Sequence, residues 1–349
     1  MVKLKPLRDQ VVVITGASSG IGLATARQAS RIGARVVATG RNRAALDNLV
    51  DEISAGGGEA IRVVGDVCDK ADLQRVAEAA IERFGGFDTW VNNAGVGLFG
   101  PVDAVKEEDH RRLFETNFWG LVNGSLLASA HLRHKGGAII NIGSVASDVT
   151  LPNLTMYSAS KHAVKGFTDG LRAELEAEGA PVSVTLIKPA SIDTPFPQHA
   201  RNYMNVEPKL PTPIYAVSEV ALSICHAAER GGRDLYIGGG ARMFGALRNH
   251  LPRTVDRFTE EVALKQINSG VSPRDPAGIL EHASAEGREH GDMLGGSVRK
   301  TSYYARAVRN PGLTKGLFLA LGMAAAGALW RHRVRAGGHV GDAGVLSQR

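Results

Sequence analysis

Tyr157 and Lys161 stand four residues apart in Tyr157-Ser158-Ala159-Ser160-Lys161, a spacing that puts both on one face of a helix. A free phenol titrates near ~10, too high to act as a base at neutral pH. An ammonium one turn away favours the phenolate and lowers that value. The pair could therefore exchange a proton near neutrality, and Ser144, upstream of the tyrosine, could hydrogen-bond the oxygen that shares it. A second set of residues could hold an anion. Thr15-Gly16-Ala17-Ser18-Ser19-Gly20-Ile21-Gly22 follows an apolar run and opens an amphipathic stretch. Glycine permits the tight turn and lets backbone N–H groups approach a pyrophosphate, and a helix start adds its positive dipole end. Each feature alone has a plain structural reading: a surface Tyr–Lys pair, a serine in a turn, a glycine turn between strand and helix. Their occurrence together points to chemistry.

The elements that must position these residues alternate along the first 240 positions. Apolar, β-branched runs occur at Gln10–Thr15, Arg35–Thr39, Ile61–Gly65, Thr89–Val91, Ala138–Ile142, Val182–Ile187 and Leu235–Gly238. Between them lie amphipathic stretches such as Ala24–Ile32, Ala44–Ala55, Asp72–Phe84 and Glu107–Leu132. Strands alternating with helices predict an α/β fold: one Rossmann-type, doubly wound parallel sheet of about seven strands with helices on both faces. The character changes after Gly240, so a domain over 1–240 is expected to be followed by a helical extension. That extension covers 241–268, broken at Pro252. Residues 269–310, rich in Gly, Ser, His and charge, read as a flexible linker. Residues 311–335 hold an apolar helix, and 336–349 a disordered tail.

The glycine spacing Thr-Gly-x-x-x-Gly-x-Gly resembles that of the classical short-chain dehydrogenase/reductase family. Three further motifs follow in the family's order: Asn92-Asn93-Ala94-Gly95 after the fourth strand, Ser144 after the fifth, and Tyr157–Lys161. The resemblance covers about residues 8–240. It implies a hydride transfer between a nicotinamide cofactor and a carbonyl or alcohol carbon, with Tyr157 as proton donor and Ser144 holding the substrate oxygen. It also implies that Lys161 binds the nicotinamide ribose and that Asn117, in Thr116-Asn117-Phe118, anchors a proton-relaying water. The cofactor side would consist of Thr15, Gly16, Ser18, Ser19, Gly20, Ile21 and Gly22 at the phosphates and Asp66 and Val67 at the adenine. Asn93, Ala94, Gly95, Tyr157, Lys161, Pro189, Ile192 and Thr194 would line the rest. The sequence departs from the family at Pro189-Ala190, where Pro-Gly is usual. An NADP-binding but non-catalytic regulatory or interaction protein on the same fold is the alternative, against which the intact Ser144, Tyr157 and Lys161 weigh.

NAD sites place a carboxylate at the end of the second strand to accept from the ribose hydroxyls. Here that strand runs Val36-Val37-Ala38-Thr39-Gly40-Arg41, with Arg43 beyond. A guanidinium suits a 2′-phosphate, so NADP is expected rather than NAD. Residues Pro195–Pro213, with Phe196, His199, Tyr203 and Met204, should form a flap over an apolar, medium-sized substrate.

Bulk composition fits a globular chain, 44% hydrophobic and 22% charged. Residues 1–240 carry a net charge of −1, and 241–349 a net +7. A basic tail without interleaved aromatics argues against nucleic acid and for an anionic membrane surface. Leu317–Trp330 is uncharged and is followed by Arg331, Arg333 and Arg335. Two readings of it stay open: an anchor on the cytoplasmic face of a membrane, or a helix packed on protein. Cys68 and Cys225 lack metal-ligand spacing and are expected as free thiols, and no metal site is expected. The N-terminus lacks the apolar core of a signal peptide. A cytoplasmic location, where NADP is found, is expected, as is assembly into a homodimer or homotetramer.

Overall fold

The computed structural model describes residues 2–251, 253, 254, 257, 264–292, 296–312 and 314. Seven parallel strands form the central sheet: β1 (Val11–Thr15), β2 (Arg35–Gly40), β3 (Ala60–Val64), β4 (Thr89–Asn92), β6 (Gly137–Ile142), β7 (Val182–Pro189) and β10 (Asp234–Ile237). Their order across the sheet is β10-β7-β6-β4-β1-β2-β3. The chain thus winds outward from β1 in one direction, then returns and winds the other way from β4. The expected doubly wound sheet is what the chain forms, and the carboxyl ends of β1 and β4 meet where the winding reverses, the place such sheets offer a ligand. Val11–Ile14 and Val36–Ala38 are buried, as parallel strands covered on both faces must be. Helices α1 (Gly20–Ile32), α2 (Arg43–Ala55) and α8 (Val217–Arg230) pack on one face. On the other lie α3 (Lys70–Phe84), α5 (Gly120–Lys135) and α6 (Thr155–Ala177). Two short parallel pairs stand apart from the sheet, Leu98–Phe99 (β5) with Arg201–Asn202 (β8), which follows the single turn α7 (Phe196–His199), and Ile214–Tyr215 (β9) with Val298–Arg299 (β11).

Sequence periodicity predicts one helix over Glu107–Leu132, but the chain divides there. A helix, α4 (Glu107–Phe114), passes into a π-helical segment at Glu115–Trp119 before α5 begins. A π turn accommodates one extra residue and recurs at functional sites. Here it carries Asn117, whose side chain is fully buried.

The described residues up to 305 form one compact unit, and those from 306 onward belong to a second. Residues 269–292 and 296–305, where a flexible linker is expected, belong to the first unit. Leu280 is 1% exposed and packs with Val96, Leu98 and Leu113. Ser302 is buried, and its hydroxyl accepts a hydrogen bond from the Gly238 amide at 3.1 Å. Gly278 acts as a point of close backbone approach: a Cβ on it would lie 2.5 Å from the Ala200 carbonyl oxygen. The extension contains α9 (Gly239–His250) and a single turn, α10 (Leu264–Ile267). Helix α11 (Tyr303–Arg309) runs into the second unit. The apolar run at 317–330 and the tail at 336–349 lie outside the described residues. Among the described residues no helix is long and apolar enough to cross a membrane.

Candidate active site

The loop between β1 and α1 is pinned to the end of β4. The Thr15 hydroxyl accepts from the Asn93 and Ala94 amides at 2.9 and 3.0 Å, and Asn93 Nδ2 donates to the Thr15 carbonyl at 2.9 Å. The glycines are required by this packing. Gly16 has φ +65°, and a Cβ there would lie 2.8 Å from Ala94 Cα. On Gly22 a Cβ would meet the Gly16 carbonyl at 2.2 Å. Ser19 stands at the N-cap of α1 without a side-chain capping bond, so the loop presents helix amides with no capping oxygen of its own over a floor kept bare by glycine. That arrangement fits a dinucleotide diphosphate.

Beyond the loop a cavity of about 500 Å³ runs across the carboxyl ends of the strands. Most of the expected site residues line it: Gly16 and Ser18–Ile21, Arg41, Asp66 and Val67, Asn93–Gly95, Ser144, Tyr157, Lys161, Pro189, Ile192 and Thr194. Thr15, Gly22 and Asn117 stand behind this wall. Asn117 brackets Val96, accepting from its amide at 2.8 Å and donating to its carbonyl at 3.0 Å, and it also donates to the Ser160 hydroxyl at 3.3 Å. Gly95 lies between Asn117 and Lys161: a Cβ on it would stand 3.3 Å from Asn117 Oδ1 and 3.7 Å from Lys161 Nζ.

Ser144 stands two residues beyond β6 and caps a short 3-10 turn, accepting from the Ala146 amide at 3.1 Å. Its hydroxyl also hydrogen-bonds Tyr157. Lys161 is 5% exposed and donates to the Ile142 carbonyl at 2.9 Å. The expected lowering of the phenol by Lys161 is not what this geometry gives. Burial pushes Tyr157 up to about 12, opposed only by the Ser144 hydrogen bond. Burial likewise brings Lys161 down to about 8. The phenol is therefore protonated through neutral pH, the form needed to donate a proton. Ala190 also lines the cavity, and its methyl packs against Gly238, where a Cβ would lie 3.1 Å away.

At the far end of β2, Arg41 does not project freely. Its guanidinium donates to the carbonyls of Ile279 and Leu280 and stands 3.9 Å from Asp66. Burial works against the charged form of Asp66. The Cys68 amide and Arg112, at 2.6 Å, overcome it and hold the carboxyl below its ordinary range. Arg112 and the segment around Ile279 escape sequence reading, because only folding brings them to this end of the sheet. Cys68 is half-buried and Cys225 buried, both free thiols. Among the described residues no cluster of three His, Cys, Asp or Glu side chains could hold a metal.

The opposite end is apolar. Phe99, Leu154, Phe196, Leu210 and Ile267 line it, with the ring of Phe196 5.3 Å from that of Tyr157. From the expected flap, His199 also lines the cavity. Burial is the main cause that pushes its ring down to about 4, so it is neutral there at physiological pH. Tyr203 points elsewhere and donates to Asp109 at 2.6 Å, while Met204 packs behind the wall against Phe99 and Leu154.

Residues 10–205 match the family model for short chain dehydrogenase. The chain is 44% identical over 315 residues to YxnA of Bacillus subtilis, an uncharacterized oxidoreductase, covering 89% of this chain and 88% of that one. Its fold is similar to a short-chain dehydrogenase/reductase of Burkholderia phymatum in complex with NAD (TM-score 0.62, 27% identity, 79% of this chain and all of that one). It is similar also to a short chain dehydrogenase of Burkholderia cenocepacia in complex with NADP (TM-score 0.59, 28% identity, 68% and 100%). With its glycine loop, seven-stranded parallel sheet and Ser144, Tyr157 and Lys161 around one cavity, the chain belongs to the short-chain dehydrogenase/reductase family of NAD(P)-dependent oxidoreductases that act on CH–OH and carbonyl groups.

Proposed function

We propose that this chain is an NADP-preferring carbonyl reductase or alcohol dehydrogenase of an apolar, medium-sized substrate, with Asn117, Ser144, Tyr157 and Lys161 as its catalytic group. The observation that carries this reading is that Ser144, Tyr157 and Lys161 line the same cavity as the glycine loop. A nicotinamide cofactor bound there supplies or accepts the hydride. Ser144 and the Tyr157 hydroxyl hold the substrate oxygen, and Tyr157 gives it a proton in the reductive direction. Lys161 holds positive charge beside the phenol, and Asn117 fixes the backbone at Val96 beneath them. The aromatic and aliphatic wall excludes water from the reacting carbonyl and suits an apolar substrate body. A panel of carbonyls and alcohols with NADPH and NADP⁺, followed at the nicotinamide absorbance, tests the assignment; no turnover of any member, with cofactor bound, favours the non-catalytic alternative.

The preference for NADP rests on Arg41 and on the lack of a carboxylate at the end of β2. NADPH should bind at least tenfold more tightly than NADH, about 1.4 kcal/mol, and Arg41→Asp should reverse the order. Equal dissociation constants for the two cofactors in the unaltered chain would sink this preference.

The basic, apolar tail completes the reading as a membrane attachment. The full-length chain should sediment with membranes and resist salt washing, whereas a chain ending after residue 312 should stay in the supernatant with its reductase activity. Full-length protein found wholly in the supernatant removes the anchor.

A further inference from the structure

We propose that residues 279–291 are the outer wall of the cofactor site, a strap that must lift before the cofactor can leave. The inference rests on the cleft being a nicotinamide dinucleotide site, as proposed above. The strap touches each part of that cleft in turn. At the adenine end, the Leu280 carbonyl accepts from Arg41 at 3.3 Å and from Arg112 at 3.4 Å, the arginines that flank Asp66. Past the end of β2, Asn42 Nδ2 donates to the Ser284 carbonyl at 2.6 Å. Over the glycine loop, the Gly20 amide donates to the Arg288 carbonyl at 3.0 Å. At the nicotinamide end, His290 Nδ1 stands 2.9 Å from Asp193, and the Gly291 amide donates to that carboxylate at 3.3 Å. The cavity persists beneath, and Ile279, Ala283 and Ser284 form part of its lining. A molecule in it would be enclosed between the sheet and the strap.

The strap sits this close because of its glycines. A Cβ on Gly287 would lie 2.5 Å from Ala45 Cβ, and one on Gly291 would lie 2.3 Å from the Thr194 carbonyl. Neither glycine has a positive φ, so it is space and not backbone conformation that excludes a side chain. The strap is also built to open. Among residues 279–291 only Leu280 is buried, and the remaining attachments are single hydrogen bonds and partly exposed ion pairs such as Arg27–Glu289 at 2.8 Å. Few buried apolar contacts mean local opening at a free energy far below that of global unfolding. The polar strand of hydrogen bonds, laid along the whole cleft, then sets how often the cofactor escapes.

The test is cofactor release from the full-length protein. Protein loaded with NADPH is mixed with excess NADP⁺, and the loss of bound NADPH fluorescence gives the release rate. Gly287→Ala drives a methyl against Ala45 and should raise that rate at least fivefold, and it should also lose protection of the Gly20 amide in hydrogen exchange. The pair Gly287→Ala with Ala45→Gly takes away the opposing methyl and should return the rate to within twofold of the original. This return separates a wedge under the strap from general unfolding. NADPH that binds and leaves at the same rate in Gly287→Ala, or a pair that stays as fast as the single variant, overturns the strap and leaves the cofactor site standing. Failure to bind NADPH at all overturns both.

Discussion

Tyr157→Phe should lower turnover by ~10²–10⁴-fold, the range that a single positioned acid or base supplies, while NADPH binds within about twofold of the original affinity. The phenol lines the cavity beside Ser144 and carries its proton through neutral pH, because burial pushes its titration up to about 12. Phenylalanine keeps the ring, and with it the packing on Phe196 at 5.3 Å, and removes only the hydroxyl. Ser144 then has no partner for the substrate oxygen it holds. Fluorescence titration of NADPH and initial rates on the same preparation separate the two effects. Near-original turnover in this variant would falsify the assignment of the proton to Tyr157. Loss of NADPH binding together with turnover would show that the hydroxyl is needed for the site's shape instead.

How far the sequence foretells this site depends on how local each signal is. The glycine loop is legible because its glycines fall within seven positions and one of its requirements is local: Gly22 must leave room for the Gly16 carbonyl. The Tyr157–Lys161 spacing is legible because a helix face repeats every three to four residues. The sheet follows from apolar runs long enough to be buried on both faces. The π-helical segment at Glu115–Trp119 is not legible, since one inserted residue does not disturb the apolar pattern of Glu107–Leu132 enough to be seen. Nor is the closure of 279–291 across the cleft. Its Gly, Ser and charge content is that of a flexible linker, and what distinguishes Gly287 from a linker glycine is Ala45, more than two hundred residues away in the chain. The same holds for Arg41. Its type suggests a phosphate ligand, but only the fold shows that its guanidinium is shared with the carbonyls of Ile279 and Leu280. The titration of the phenol shows the converse error. Spacing alone makes Lys161 its dominant neighbour, whereas burial of both groups outweighs their proximity.

The second large effect is expected at Lys161, and it has a pH signature. Burial brings this amine from its ordinary 10.5 down to about 8, so it is cationic below that value and neutral above it. Tyr157 keeps its proton up to about 12, so it cannot account for a change near 8. If the positive charge beside the phenol is what stabilises developing negative charge on the substrate oxygen, kcat/KM for reduction should be level below about pH 8 and fall above it. Lys161→Met fills similar space without charge. It should lose ~10²–10³-fold in kcat/KM, the scale of one preorganised electrostatic group, and its profile should lose the limb near 8. A purely structural role for Lys161, through its bond to the Ile142 carbonyl, predicts a slower enzyme with that limb unchanged. Stability reports the same amine independently. Between about pH 8 and 10.5 the unfolded chain holds a proton at Lys161 that the folded chain has released, so this group makes the fold more stable as pH rises through that window. Denaturant midpoints of the original chain should carry this rising contribution, and the difference from Lys161→Met should change across the window in that direction. A difference that stays constant from pH 7 to 10.5 would mean that the buried amine is not shifted, and the limb in the rate profile would then need another owner.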